Sequence, residues 1–379
     1  MLLKTLYKSN MSFESKLNLF TAKAAYSFLR GSYRTVLENI NQGVYIWGTG
    51  RLGKYVEEQC KKNGVTVKGF IDNDITKQNE NKVYSVEILQ SNDVVIIASI
   101  SYSEIAKQLD ELNTGKNHIY YEVLAKIDKR FKPYYVGFVD LFEEIERNKQ
   151  EYIKVLSMCE DQISYEVLGN VLMYRMTLDT SYINMAYNLS IQQGKIDFDK
   201  IVIDRLNDKC VFCDVGGFDG ETTEEYLRLF PNADKIYLFE PDRDVMKRAK
   251  EKLHNYKQID YISAAAGEKD AKSFLNTIGE GASSVAAEGD REIEIVTLNN
   301  YIVNSNTYVK MDVEGYEAQA IAGAENAIKK YKPLLGISLY HIPGDIHKLT
   351  KQIMSYRQDY RLYIRHYTLS YGDTLGYFI

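Results

Sequence analysis

The residues best suited to hold a ligand follow a short apolar run at positions 210–215. A run of this length and composition is typical of a strand that is buried on both faces of a parallel sheet. Three glycines come directly after it, so the backbone can turn tightly and approach a ligand closely. The run contains Asp214, and the glycines are Gly216, Gly217 and Gly220.

An acidic residue follows at the distance expected for a nucleoside site. Residues 236–239 form the next apolar run, and Glu240 comes directly after it. An acid about 20 positions beyond such a glycine turn accepts hydrogen bonds from ribose hydroxyls. The turn and the acid together therefore predict a nucleoside-binding site at the ends of two neighbouring strands.

The glycine spacing differs from the dinucleotide pattern G-x-G-x-x-G and, with Glu240-Pro241, resembles the S-adenosylmethionine (SAM) site of class I methyltransferases. Five downstream segments extend the likeness: KMDVEGYE at 310–317, GA at 323–324, KP at 332–333, YH at 340–341 and RHY at 365–367. In order and spacing they resemble the FkbM family of SAM-dependent O-methyltransferases. The likeness runs from about residue 162 to the C-terminus.

This resemblance implies how SAM would lie in the site. Asp214 and the glycine backbone after it would face the methionine part of SAM, and Glu240 would bind the ribose. Ala264 and Ala265, at the end of the third strand, would lie near the adenine ring and contact it through backbone groups.

Methyl transfer to a hydroxyl requires the acceptor oxygen, the methyl carbon and the sulfur to lie in line. The hydroxyl must also lose its proton, and histidine is the side chain best suited to accept it at neutral pH. We therefore predict His341 as the general base, with Asp312 and Glu314 positioning the acceptor or sharing that role. An alternative role for these two carboxylates is to hold Mg²⁺.

Four further residues are predicted to bind the acceptor. Arg365 and His366 end a predicted strand, whereas Ser283 and Ser284 lie in a glycine-rich loop that would cover the acceptor. Each group has a structural alternative. Arg365 would instead pair with an acid such as Asp373, and the two serines would only form a turn.

A second glycine-rich unit lies at residues 44–99, where the pattern indicates strand, turn, helix, strand, loop and strand. Gly48, Gly50 and Gly53 have the dinucleotide spacing, and Asp72 closes the next strand. This pattern predicts a site for NAD or another nucleotide, and the alternative is a purely structural module. The unit also resembles the small Rossmann-like modules that are fused to sugar-modifying enzymes.

The predicted fold class is α/β. From residue 210 onward, apolar runs at 236–240, 259–265, 307–313 and 334–340 alternate with helical patterns, as in a doubly wound class I methyltransferase sheet. Residues 361–367 and 374–379 predict an antiparallel C-terminal hairpin. The predicted organisation is a helical segment at 1–40, a smaller Rossmann-like domain at 41–132, a helical connector at 133–205 and the methyltransferase domain at 206–379.

Composition limits the class of partner. The 379 residues suit two domains, and a net charge of −5 gives no basic field for nucleic acid. No apolar stretch approaches the ~20 residues that span a bilayer, so we expect a cytoplasmic protein. The four cysteines are too few for a disulfide framework and predict buried thiols. Methionines in the connector offer a homo-oligomer contact, with core packing as the alternative.

Three functions are consistent with these patterns. The leading one is a SAM-dependent O-methyltransferase acting on a sugar, either in a nucleotide sugar or in a surface glycan. The second is an NAD-dependent oxidoreductase that uses Gly48, Gly50 and Gly53. The third is a non-catalytic scaffold in glycan assembly.

Overall fold

The structure is a computed structural model that describes residues 11–79, 82–112, 117–277, 283–286, 288–289 and 291–379. The chain divides into two compact units. The first comprises Met1–Lys149, Gly169–Met185 and Thr368–Tyr371, and the second comprises Gln150–Leu168, Ala186–Tyr367 and Gly372–Ile379. The predicted connector at 133–205 is thus divided between these units.

The first unit contains a parallel sheet of five strands among the described residues, with Val44–Trp47 at the centre between Val67–Ile71 and Val94–Ile97, and with Val83–Tyr84 and His118–Tyr120 at the two edges. Valine and isoleucine fill the central strands, which are buried, as parallel sheets require. This arrangement confirms the Rossmann-like α/β prediction. The strands are β1 (Val44–Trp47), β2 (Val67–Ile71), β3 (Val83–Tyr84), β4 (Val94–Ile97) and β5 (His118–Tyr120). The helices before, between and directly after them are Phe13–Leu19, Ala22–Ser32, Arg34–Asn39, Arg51–Lys62, Tyr102–Glu111 and Tyr121–Ile127.

A helical segment follows, as the apolar spacing predicted. Its helices are Leu141–Arg147, Lys149–Met158, Gln162–Thr177, Thr180–Ile191 and Lys200–Ile203, with a short hairpin of β6 (Gly194–Lys195) and β7 (Phe198–Asp199) before the last of them. No helix in the described part of the chain is long and apolar enough to cross a membrane.

The rest of the second unit alternates strands and helices. Its strands are β8 (Val211–Val215), β9 (Lys235–Phe239), β10 (Ile259–Ile262), β11 (Ala264–Ala266), β12 (Ala271–Thr277), β13 (Ser283–Ala286), β14 (Arg291–Val296), β15 (Thr307–Met311), β16 (Leu334–Ser338), β17 (Leu362–His366) and β18 (Thr374–Phe378). Its helices are Glu221–Leu229, Arg243–Lys252, Glu317–Ala322, Glu325–Tyr331 and Asp345–Tyr356.

The main sheet of this unit has the order β10-β9-β8-β15-β16-β18-β17 among the described residues. The first five strands are parallel, while β18 pairs antiparallel with both β16 and β17. The predicted doubly wound sheet and its antiparallel C-terminal hairpin are therefore confirmed. Because β8, β9 and β15 are adjacent and parallel, their carboxyl ends meet at one edge.

A second, smaller sheet differs from the prediction. The run 259–265 was expected to form one strand, but it breaks at Ser263, and Ala264–Ala266 pairs with β14 instead of β9. Residues 283–284 belong to a strand that pairs with β12, not to the predicted loop. A small apolar cluster stabilises this sheet, since Ala265, Leu275, Ile293 and Ile295 are buried together.

Strand β17 carries a buried polar network. Arg365 is almost fully buried, and its Nε lies 3.0 Å from Asp199 Oδ2 while its Nη2 lies 3.0 Å from Asp161 Oδ2. Its Nη1 also donates to Ser164 Oγ at 2.9 Å. The guanidinium is thus paired with two acids, as a buried charge must be. Asp373, the partner that the sequence suggested, is not among them.

We predict that Asp199→Asn lowers the free energy of unfolding by about 3–5 kcal/mol, because it leaves Arg365 short of a buried counter-charge. The substitution keeps the shape of the side chain and the oxygen that accepts a hydrogen bond from the Ile201 amide. Glu160→Gln is the control, since Glu160 faces the exposed Arg361 at 3.8 Å and its loss should cost less than about 1 kcal/mol. Denaturant unfolding measures both, and equal costs would contradict the prediction.

Candidate active site

A cavity of about 650 Å³ lies at the carboxyl ends of β8, β9, β11 and β15. It collects residues that are far apart in sequence, which is the arrangement expected at this edge of a doubly wound sheet. The predicted residues that line it are Gly216, Gly217, Glu240, Ala264, Ala265, Asp312 and Glu314. Asp214, Gly220 and His341 are not in the lining, although each is adjacent to a residue or turn that is.

The glycine turn is required by a close approach of two backbones. Gly216 has φ +77°, and a Cβ placed on it would lie 1.9 Å from the carbonyl oxygen of Asp312. Only glycine accommodates both the conformation and the contact. Gly220, with φ +87°, directly precedes the helix Glu221–Leu229. The loops after β8 and β15 are therefore packed against each other at the cavity.

Asp214 is fully buried beneath this turn. Its Oδ2 accepts a hydrogen bond from Thr223 Oγ1 at 2.7 Å, and its Oδ1 lies 3.3 Å from Lys310 Nζ. Lys310 Nζ also donates to the carbonyl of Gly216 at 2.9 Å. Burial alone would lower the pKa of Lys310, but Asp214 and further carboxylates outweigh it and raise that pKa. Lys310 therefore remains charged and ties β15 to the glycine turn.

Glu240 lies at the end of β9, where the ribose acid was predicted. Its Oε1 accepts a hydrogen bond from the Asp242 amide at 2.7 Å. Burial raises the pKa of Glu240 to about 7, and the neighbouring charge of Asp242 acts in the same direction. Ionisation of Glu240 is thus unfavourable unless a bound ligand donates hydrogen bonds to the carboxylate.

His341 follows β16 and faces three carboxylates. Its Nδ1 lies 2.9 Å from Glu317 Oε1, and its Nε2 lies 3.2 Å from Asp312 Oδ1 and 3.5 Å from Glu314 Oε2. Burial would lower the pKa of His341, but these carboxylates, Glu317 foremost, raise it to about 10. A histidine that holds its proton at neutral pH is a poor general base, which argues against the predicted role.

The same cluster contains the candidate metal ligands. One ligand atom from each of Asp312, Glu317 and His341 lies within 4.8 Å of the others. Glu314 has the left-handed φ of +54°, an unfavourable conformation for a residue other than glycine. Burial raises the pKa of Glu314, and the charge of Asp312 adds to that rise whereas His341 opposes it. Strain and crowded charge thus concentrate beside the cavity.

Two cavity residues were missed from the sequence. Lys310 is a charged residue within a short, fully buried strand, and a lysine in such a run was the available signal for a paired, buried cation. Arg291, at the start of β14, reaches Asp244 Oδ2 at 2.7 Å and Asp242 Oδ1 at 3.3 Å across the cavity mouth. No motif pointed to Arg291 as a cavity residue, because its position depends on the smaller sheet.

The four predicted acceptor-binding residues fare differently. The prediction that Arg365 and His366 bind the acceptor needs correction, because both residues are buried and neither lines the cavity. His366 Nδ1 lies 2.9 Å from Thr374 Oγ1, within the hairpin. The side chains of Ser283 and Ser284 lie outside the described residues, although their strand contributes Val285 to the cavity lining.

The glycine turn of the first unit is built for close packing. A Cβ on Gly48 would lie 2.5 Å from the Ala98 carbonyl oxygen, and one on Gly53 would lie 2.0 Å from the Gly48 carbonyl oxygen. Asp72, the predicted ribose acid, accepts a hydrogen bond from Thr49 Oγ1 at 2.6 Å. Gly50 directly precedes the helix Arg51–Lys62. The NAD site stays a prediction.

The predicted thiols are confirmed as free and largely buried. Cys210 and Cys213 are both buried, and burial raises the pKa of each thiol. Thiols of this kind are unreactive because the thiolate is disfavoured.

The strand order, the antiparallel last pair and the cavity at the carboxyl ends of the parallel strands define a class I methyltransferase fold. The structure of methyltransferase FkbM from Methylobacillus flagellatus KT is similar, with a TM-score of 0.77 and 20% identity over 97% of this chain and 99% of that chain. Fibrillarin from Aeropyrum pernix, solved with SAM bound, matches 46% of this chain and 68% of its own at 12% identity and a TM-score of 0.32.

The family models identify both parts of the chain. The methyltransferase FkbM domain matches residues 214–367, and the C2185-like N-terminal domain matches residues 40–120. No curated protein matches the chain. The C-terminal part is therefore an FkbM-family methyltransferase domain that follows a C2185-like N-terminal domain. The matched domain is of the SAM-dependent methyltransferase type.

We predict that Gly216→Ala destabilises the protein and abolishes SAM binding. The left-handed conformation alone costs about 1–2 kcal/mol for alanine, and the contact with the Asp312 carbonyl adds to this. Gly372→Ala is the control, because the nearest atom to its Cβ would lie at an ordinary 3.6 Å. Thermal unfolding and SAM titration test both variants. Unaltered SAM affinity in Gly216→Ala would contradict the packing described here.

Proposed function

We propose that this protein transfers the methyl group of SAM to a hydroxyl of a sugar, in a nucleotide sugar or a surface glycan. The observation that carries the proposal is the meeting of a nucleoside-type acid, Glu240, and a carboxylate pair, Asp312 and Glu314, in one cavity. The first group suits the ribose of SAM. The second suits a hydroxylated acceptor next to the methyl group.

SAM fits the cavity in size and in polarity. The volume of about 650 Å³ is within the usual range of small-molecule sites, about 300–1,000 Å³. We assign the methionine part to the turn after Asp214, the ribose to Glu240 and the adenine to the backbone of Ala264 and Ala265. In this orientation the sulfonium methyl points toward the loop after β15, where Asp312 and Glu314 lie.

The reaction is an in-line displacement. The acceptor oxygen forms a bond to the methyl carbon, the carbon–sulfur bond breaks, and its electron pair stays on sulfur as S-adenosylhomocysteine leaves. The hydroxyl proton leaves to a carboxylate at the cavity or to water. Asp312 and Glu314 line the cavity, whereas His341 does not, so we assign acceptor contact to the two acids. Alignment is the main contribution of the protein.

A sugar acceptor is supported by two features. Carboxylates accept hydrogen bonds from adjacent hydroxyl groups, and two of them line this cavity. The N-terminal unit resembles modules that are fused to sugar-modifying enzymes. The oxidoreductase alternative has less support, because Asp72 already accepts a hydrogen bond from Thr49.

The acceptor class is tested by incubating the full chain with SAM and a panel of nucleotide sugars and oligosaccharides. We expect a product heavier by one methyl group, with the new methyl bonded to oxygen in its NMR spectrum. Asp312→Asn should bind SAM normally and lower turnover. Methylation of nitrogen or carbon, or of non-sugar acceptors alone, would overturn the proposal.

The affinity for SAM should fall as the pH drops through about 7. The ionised form of Glu240 accepts the ribose hydroxyl protons, and its pKa of about 7 means that acid protonates it in the free protein. Between pH 8 and pH 6 we expect about a tenfold loss of affinity that is absent in Glu240→Gln. Comparing the two proteins cancels the titration of SAM itself. Parallel pH profiles would refute this role of Glu240.

A further inference from the structure

His341 is held between a buried acid and two acids at the cavity. On the buried side, Glu317 is 1% exposed, and its Oε1 accepts a hydrogen bond from the Val313 amide at 3.0 Å. The same oxygen lies 2.9 Å from His341 Nδ1. On the cavity side, Asp312 and Glu314 are partly exposed and face Nε2. The imidazole therefore has a closed side, where Nδ1 faces the buried Glu317, and an open side, where Nε2 faces the acids at the cavity.

This arrangement is the one that orients a metal-binding histidine. A carboxylate that accepts the proton of one ring nitrogen fixes the tautomer and directs the lone pair of the other nitrogen outward. Here Glu317 Oε1 lies 2.9 Å from Nδ1, and Nε2 is directed at Asp312 and Glu314, so a cation that binds Nε2 would displace the proton that His341 holds in the free protein. The side chain of His341 is only 9% exposed, so its direction is fixed by packing.

The distances from His341 Nε2 to the two carboxylates on the open side suit a shared cation. Oxygen and nitrogen ligands lie about 2.0–2.2 Å from ions such as Zn²⁺ or Mg²⁺, so neighbouring ligands in one shell are about 3 to 3.5 Å apart. Asp312 Oδ1 and Glu314 Oε2 lie 3.2 and 3.5 Å from His341 Nε2. Yet Asp312 Oδ1 and both buried ring nitrogens of His341 form no hydrogen bond of acceptable geometry. These polar atoms therefore lie close together but do not satisfy one another's hydrogen-bonding capacity.

The local charge also favours a cation. Three carboxylates surround one imidazole, and Asp373 adds a fourth acid whose charge acts on the same cluster. The nearest buried cation, Lys310, is already paired with Asp214 and hydrogen-bonded to the Gly216 carbonyl. Tyr340 adds only a neutral hydroxyl near Asp373. The negative charge at the cavity is thus incompletely balanced.

We propose that Asp312, Glu314 and His341 bind a divalent cation at the cavity, with Glu317 as the positioning residue for His341. One imidazole with two carboxylates suits Mn²⁺, Fe²⁺ or Zn²⁺ better than Mg²⁺, which prefers oxygen ligands alone. The ligand set therefore differs from the pair of acids that the sequence suggested for Mg²⁺.

The role of the cation rests on the proposed function, although its binding does not. A cation at this position would accept a lone pair of the acceptor hydroxyl and lower the pKa of that hydroxyl. The proton would leave to water, and the resulting alkoxide would attack the methyl carbon of SAM. Asp312 and Glu314 would then act as ligands and not as the base.

The test is a titration of the full, chelator-treated chain with Mn²⁺, in which electron paramagnetic resonance measures the free ion. We expect one saturable site in the wild-type protein. Asp312→Asn and His341→Ala should each weaken it at least about tenfold, and Glu317→Gln by about 10–100-fold. His254→Ala is the matched control, because His254 lies at an exposed helix end, where its Nδ1 lies 2.8 Å from the Glu251 carbonyl oxygen.

Titration with SAM on the same samples separates the two proposals and reports folding. Absence of a saturable Mn²⁺ site, or equal affinity in His341→Ala and His254→Ala, overturns the metal site even if SAM binds and methyl transfer proceeds. Mn²⁺ binding that is lost only in the site variants supports it, whatever the acceptor is. If methyl transfer occurs, chelator should abolish it and Mn²⁺ should restore it, whereas full activity in chelator overturns the catalytic role.

Discussion

The contact between Lys310 and Asp214 is the constraint on which the rest of the site depends. It joins the central strands β8 and β15, and the same ammonium group holds the carbonyl of Gly216. Removing either charge would leave the other buried and unpaired, which typically costs several kcal/mol. Because Gly216 lies against the backbone of Asp312, the position of the glycine turn also sets the position of the acids around the acceptor.

Much of the fold followed from local patterns. Buried strands such as Val211–Val215 and Thr307–Met311 appeared as short apolar runs. The smaller sheet was not predicted, because the strand Ala264–Ala266 pairs with residues about thirty positions away. Apolar side chains do alternate at 291–296, which is typical of a strand, but this pattern alone does not show which strand β14 pairs with.

The positions of site residues could be predicted from the sequence where those residues lie at the ends of parallel strands. Asp214 and Glu240 were found because parallel strands place such residues at one edge. Arg365 could not be judged in this way, since its partners Asp199 and Asp161 are 166 and 204 residues away in sequence. Only the folded chain shows that a polar side chain at a strand end is used for packing. The same reason hid Glu317, whose role depends on where His341 lies.

The most direct test of the account is calorimetric titration of the wild-type protein and Glu240→Ala with SAM, S-adenosylhomocysteine and NAD in parallel. If the cavity beside β8 and β9 is the cofactor site, SAM and S-adenosylhomocysteine bind the wild-type protein and binding is lost in Glu240→Ala. Binding of NAD alone, unchanged by that substitution, would move the active centre to the glycine turn of the first unit and contradict the account.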